Sequence, residues 1–136
     1  MRAIKYIAIH CTATPQTTTV ESILNYWRRR LGWKNPGYHF IVLPNGSYRN
    51  LLPVEQVSNG VQGFNSETIN ISYIGGIDAN GRPMDNRTHA QKQCLLRLIK
   101  DMKAKFPKAI VQGHRDFPGV KKACPSFNAK QEYANI

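Results

Sequence analysis

Two histidines and a cysteine carry the most chemical information in this chain. His10 ends the apolar run Tyr6-Ile7-Ala8-Ile9, and His114 follows the later run Ile110-Val111-Gln112-Gly113. Cys124 comes soon after, behind Lys121-Lys122-Ala123 and before Pro125. Two imidazoles and a thiolate are a donor set for catalytic zinc, in which the fourth position stays open for water. Zinc lowers the pKa of that water and polarises a carbonyl, so convergence of the three residues would make the chain a metal hydrolase. His10 lies about a hundred residues before the other two, so they form no local finger and only the tertiary fold can unite them. Each also has an ordinary alternative: a hydrogen-bonded histidine at a strand end, or a core cysteine. Their shared position at or just beyond strand ends, where loops collect functional groups, favours the site.

Two further side chains could act there. Tyr38 reads as a strand tyrosine with its hydroxyl at the rim. On the zinc face, that hydroxyl could donate to a developing oxyanion. Lys122 stands two residues before the thiol, and its ammonium could stabilise the same charge. The lysine pair should also favour the thiolate of Cys124. No His-Glu-x-x-His helix is present, so any acid or base must come from elsewhere, with Tyr38 and Lys122 as candidates. The other histidines are weaker candidates. His89 falls in the first turn of a helix, and His39 must point away from Tyr38 across a strand. Asp116 reads as a turn cap.

The elements that must position these residues are legible in outline. Lys5 to His10 reads as a buried strand. Thr18 and Glu21 have capping-box spacing and predict a helix carrying Val20, Leu24, Trp27 and Leu31, stopped by Gly32. Asn35-Pro36-Gly37 is a turn, Tyr38 to Leu43 a strand, and Asn45-Gly46 a hairpin turn into Ser47 to Leu52. Pro53 to Gly63 is a loop, and Thr68 to Ile74 a strand ending at Gly75-Gly76. Asp78 and Asn80 begin like a calcium loop, but Gly81 comes too early and no closing Glu follows, so this stretch reads as an ordinary loop. Thr88 and Gln91 form a second capping box before the face Cys94, Leu95, Leu98, Met102 and Phe106, which Pro107 ends. Ala109 to Gln112 is a late strand, and the tail from Asn128 a short helix. The expected fold is α/β: a single domain over 1–136, with a central mixed β-sheet flanked by helices.

Composition narrows the class. The chain has 136 residues, enough for one real core, and its 41% apolar content excludes disorder. No stretch approaches the roughly 18 apolar residues of a membrane helix. The N-terminal run reads as a strand, not a signal peptide, so synthesis in the cytoplasm is expected. Three cysteines in such a chain argue against a disulfide framework, and Cys11 and Cys94 read as small core residues. The net charge of +11 draws the protein to polyanions such as an anionic wall. Its basic residues are scattered without the aromatic-basic pattern of a nucleic-acid groove, so no specific nucleic acid and no stable membrane association are expected.

Five blocks in order carry a family resemblance: Ile9 to Thr14, Gly37 to Ile41, Gly75 to Asp78, Gly113 to Asp116 and Lys122 to Phe127. Together they resemble the type 2 N-acetylmuramoyl-L-alanine amidases, most of all the lysozymes of T-odd phages, which are zinc amidases. Peptidoglycan-recognition proteins are more distant relatives. The resemblance implies Zn2+ bound by His10, His114 and Cys124, with Tyr38 and Lys122 at the residues associated with catalysis. It implies cleavage of the amide joining the lactyl group of N-acetylmuramic acid to L-alanine in peptidoglycan. In the loop Ser58 to Asn65, relatives often carry a His or a Trp-His pair, and this chain has neither. A small basic amidase of this kind resembles a phage or prophage lysis enzyme that reaches the wall through a holin-type pore. Two alternatives remain: a non-catalytic peptidoglycan-binding module, against which Cys124 argues, and a regulatory binder of a polymerase, for which no interface can be identified.

Overall fold

The computed structural model describes residues 2–136. The strands are β1 (Tyr6–Cys11), β2 (Phe40–Val42), β3 (Tyr48–Asn50), β4 (Thr68–Tyr73) and β5 (Ile110–Gly113), and the helices are α1 (Val20–Asn25), α2 (His89–Lys105) and α3 (Ala129–Glu132). The five strands form one sheet in the order β3-β2-β4-β1-β5. β1 runs parallel to both β4 and β5, β2 runs parallel to β4, and only β2 and β3 are antiparallel. The sheet is therefore mixed and helix-flanked, as the sequence implies. Among the described residues, no helix is long and apolar enough to cross a membrane.

The strand sequences explain why one face of this sheet is core and the other is a site. Successive side chains on a strand point to opposite faces. On β1, Ile7, Ile9 and Cys11 join Ile69, Ile71 and Tyr73 of β4 in the main core, where α2 adds Leu95, Leu98, Ile99 and Met102. The intervening residues are Ala8 and His10 on β1, and Thr68, Asn70 and Ser72 on β4, all buried. The second face thus presents a row of buried polar groups beneath the loops.

α2 starts with the expected capping box, with Thr88 and Gln91 exchanging side-chain and backbone hydrogen bonds. Gln91 is fully buried, and its Nε2 also donates to the carbonyls of Val42 and Ile74, tying α2 to the ends of β2 and β4. α1 differs from expectation by one residue. Thr19, not Thr18, caps it by accepting from the Ser22 N–H at 3.1 Å. Glu21 instead reaches Arg49 at 2.9 Å. The helix then widens into a π-helical segment, Tyr26–Arg30, that buries Trp27 and ends before Gly32, whose φ is +67°. β2 is shorter than expected, and Tyr38 precedes it. Asp78 accepts from the N–H groups of Asn80 and Arg82 at 2.9 Å each, an ordinary turn cap.

An ion cluster centred on the buried Arg87 ties the long loop before α2 to the C-terminal helix. Arg87 bonds Asp85 and Glu132, each at 2.8 Å, and its guanidinium carbon lies 3.4 Å from the Phe127 ring centroid. Burial opposes the charge on Arg87, but the two carboxylates outweigh it and raise its pKa. Arg87 stands in a polar, turn-rich stretch of the sequence, and only its tertiary partners make it a core group.

Candidate metal centre

β1 carries His10 to the edge of the polar face, and parallel pairing with β5 places the end of that strand beside it. His114 opens a tight turn directly after β5. Asp116 caps that turn, its carboxylate accepting the Gly113 N–H at 2.8 Å. The Arg115 N–H then donates to the Cys124 carbonyl at 2.9 Å, which draws the Cys124 segment back to the same strand end. Gly113 is needed there: a Cβ would lie 2.7 Å from Cδ of Pro125. The Cys124 sulfur also accepts the backbone N–H of Cys11 at 3.1 Å.

Potential ligand atoms of His10, His114 and Cys124 all lie within 4.8 Å of one another. The rings of His10 and His114 stand 4.8 Å apart between centroids, and Nδ1 of His10 is 3.9 Å from the Cys124 sulfur. A tetrahedral ion with bonds of about 2.0–2.3 Å separates its donors by roughly 3.3–3.8 Å. The set therefore fits zinc with a small inward adjustment, and its nitrogen and sulfur donors suit that ion.

The electrostatics suit a cation as well. Burial, then the neighbouring His114, lowers the pKa of His10 to about 3. Burial, then Lys122, lowers that of His114 to about 4. Both imidazoles are neutral near pH 7 and each offers a lone pair. On Cys124, Lys122 and the backbone N–H of Cys11 favour the thiolate, but the Cys11 side chain, followed by burial, outweighs them and raises its pKa. The lysine pair does not by itself produce a thiolate, so a metal must displace the proton. Cys11, read from sequence as a core residue, is buried in the core, and its main chain also meets the site, donating its N–H to the Cys124 sulfur and accepting from the Tyr38 hydroxyl.

The remaining candidates gather around the same point. His10, Cys11, Tyr38, His114, Lys122 and Cys124 line a cleft of about 690 Å³. The Tyr38 ring lies 5.1 Å from that of His10 and 5.2 Å from Trp27, and its hydroxyl donates to the Cys11 carbonyl at 3.3 Å. Burial, then the charge of Cys124, raises its pKa, so Tyr38 is a hydrogen-bond donor and not a base at neutral pH. Lys122 is exposed at the cleft wall. Of the loops around the cleft, Gly37, Asn59 and Gly60 line it, whereas Asn35 and Pro36 line a smaller neighbouring recess. Outside the cluster, His89 is exposed. His39 is buried, with Nδ1 accepting the Asn70 N–H at 3.0 Å.

Comparison with known proteins places the chain in a family. The family model described as N-acetylmuramoyl-L-alanine amidase matches residues 1–127. The endolysin of Klebsiella phage KP32 is 36% identical over 126 residues, covering 92% of this chain and 82% of the relative. The endolysin of Escherichia phage T7 is 33% identical over 126 residues, with the same two coverages of 92% and 82%. Among solved structures, the Ph2119 endolysin from a Thermus scotoductus bacteriophage superposes with a TM-score of 0.79 at 26% identity, covering 92% of this chain and 79% of that one.

Proposed function

The chain belongs to the N-acetylmuramoyl-L-alanine amidase family, and we propose that it is a zinc-dependent lysis amidase whose metal is held by His10, His114 and Cys124. Its substrate is peptidoglycan, and the bond cleaved joins the lactyl group of N-acetylmuramic acid to L-alanine. The observation that carries this reading is the meeting of those three donors within 4.8 Å, at the floor of an open cleft.

When bound, zinc supplies Lewis acidity toward the lactyl carbonyl and lowers the pKa of water. The chain's own groups do the rest. The neutral rings of His10 and His114 and the sulfur of Cys124 supply the ligand atoms. Tyr38 lies beside His10 with a hydroxyl that keeps its proton, so it can turn from the Cys11 carbonyl to an oxygen that gains charge in the transition state. Lys122 extends over the same cleft and adds positive charge to that oxygen. The leaving L-alanine amine takes its proton from Tyr38, Lys122 or solvent. The cleft continues over Ile23, Tyr26, Trp27 and Leu31, an apolar wall beside the polar floor. The whole chain acts as one amidase domain that reaches the wall through a holin-type pore.

The test is zinc content per chain together with digestion of purified muropeptides. One zinc and release of intact stem peptide are expected. Zinc-free protein with full activity, or cleavage of a different bond, overturns the assignment. Binding without cleavage marks a non-catalytic peptidoglycan module.

A further inference from the structure

His10 is held by a hydrogen-bonded chain that runs beneath the cleft and ends in main-chain groups. Its Nε2 lies 2.7 Å from Oδ1 of Asn70, and Nδ2 of Asn70 lies 2.7 Å from Oγ of Ser58. Ser58 Oγ lies 3.2 Å from Nδ1 of His39, which also receives the main-chain N–H of Asn70 at 3.0 Å. The other ring nitrogen of His39 lies 2.8 Å from the Gln56 carbonyl and 3.3 Å from a guanidinium nitrogen of Arg2. Asn70, Ser58 and His39 are all fully buried.

The main-chain groups at His39 set its tautomer. A backbone N–H can only donate, so Nδ1 of His39 is an acceptor. A carbonyl can only accept, so Nε2 carries the proton; the Arg2 guanidinium nitrogen is farther, at 3.3 Å, and donates to the Val54 carbonyl at 2.7 Å. Ser58 Oγ shares the Nδ1 lone pair as a second, longer donor and accepts from the Asn70 NH2 group. That orientation leaves Oδ1 of Asn70 facing His10, and an amide oxygen can only accept. His10 is therefore the Nε2–H tautomer, and its lone pair sits on Nδ1, the atom 3.9 Å from the Cys124 sulfur.

The Asn70 amide occupies space that one glycine leaves. A Cβ on Gly60 would lie 2.3 Å from both Cγ and Oδ1 of Asn70 and 2.7 Å from Nδ2. Gly60 has no positive φ to justify it, so steric room for this amide is the constraint at that position.

We propose that Asn70 is the positioning residue of the metal centre, holding His10 in the tautomer that presents Nδ1 as a ligand, and that Gly60 is present to admit it. The inference rests on the metal-site reading above. It predicts that Asn70 governs metal affinity without touching the metal. Partners of this kind typically change affinity by about 10- to 100-fold.

The experiment uses full-length protein. Long-range 1H–15N spectra of the metal-free chain report the His10 tautomer, chelator competition reports zinc affinity, and thermal melting reports the fold. Wild type should show His10 as Nε2–H. Asn70→Ala and Gly60→Ala should each yield a tautomer mixture and about 10- to 100-fold weaker zinc binding. Asn70→Asp keeps an acceptor at the same place, so it should retain the Nε2–H tautomer and near wild-type affinity. A merely structural role would lower the melting temperature without moving the tautomer. An unchanged tautomer or unchanged zinc affinity in either disrupting variant overturns the proposal. Gly60→Ala, which keeps all the hydrogen-bonding side chains, decides the matter if Asn70→Ala does not fold. Wild-type protein that binds no zinc would defeat the metal-site reading instead, a result distinct from a wrong His10 tautomer.

Discussion

The Cys124 sulfur lies 3.9 Å from Nδ1 of His10, although 114 positions separate the two residues. Parallel pairing of β1 with β5 places the strand ends together, and the bond from the Arg115 N–H to the Cys124 carbonyl returns the later segment to that point. Neither residue has its metal-binding partners on its own element.

Cys124→Ser should therefore lose metal and activity together. A hydroxyl is a far poorer zinc ligand than a thiolate, and two imidazoles alone hold the ion weakly. Elemental analysis of the purified variant, alongside release of stem peptide, checks this. Full zinc occupancy in Cys124→Ser would remove Cys124 from the ligand set.

Tyr38→Phe separates metal binding from catalysis. The substitution keeps the ring contacts with His10 and Trp27 and deletes only the hydroxyl. Turnover should fall on the order of 100- to 1000-fold, the loss typical of one oxyanion donor, with zinc content and melting temperature retained. Lys122→Ala should behave similarly, with a smaller loss because its ammonium is exposed to solvent screening. Turnover near that of wild type in both would leave the oxyanion without help from either residue.

The Arg87 cluster makes a stability prediction with a definite pH sign. Hydrogen bonding to Arg87 is the main cause that lowers the pKa of both Asp85 and Glu132. Groups with depressed folded-state pKa values add stability above their unfolded values, about 3.9 and 4.3, and lose it as pH falls through the folded values. Arg87→Met should cost about 2 kcal/mol at pH 7, less than the roughly 3–5 kcal/mol of a fully buried pair because both carboxylates reach solvent. Urea denaturation at pH 7 and below pH 4 should show the gap between wild type and variant shrinking in acid. A gap that widens in acid would contradict the assignment.

Wall binding should weaken as salt rises. The charge of +11 is spread over a small domain, and exposed charges are screened over about 8–10 Å near physiological ionic strength. Pelleting with purified peptidoglycan at low and high salt measures this directly. Equal binding at both would show that the net charge plays no part in holding the wall.

Much of this protein was legible before folding because the signals were local. The Thr88–Gln91 box, the Asn45-Gly46 hairpin and the apolar periodicity of α2 each depend on residues a few positions apart, so pattern alone placed them. His10, His114 and Cys124 stood out because their types match a zinc donor set and because the two histidines end or follow strand-like runs, with the cysteine shortly after the second. The cap of α1 was displaced by one residue because Thr18 and Thr19 are both competent caps; the fold uses Thr19, with Val20 and Ile23 buried in the turn that follows. Arg87 and Asn70 carried no local signal of their roles. A polar residue on a strand or in a loop becomes a buried ion-pair centre or a histidine's hydrogen-bond partner only when remote segments close over it. The thiol of Cys124 divides in the same way: the neighbouring Lys122 that favours the thiolate is visible in the sequence, whereas the Cys11 side chain and the burial that oppose it exist only in the fold. Residue types and their local spacing thus determined the elements and the candidate ligands. Tertiary structure decided which of them meet, which nitrogen faces the site and which charges are buried, because these depend on contacts between segments distant in the chain.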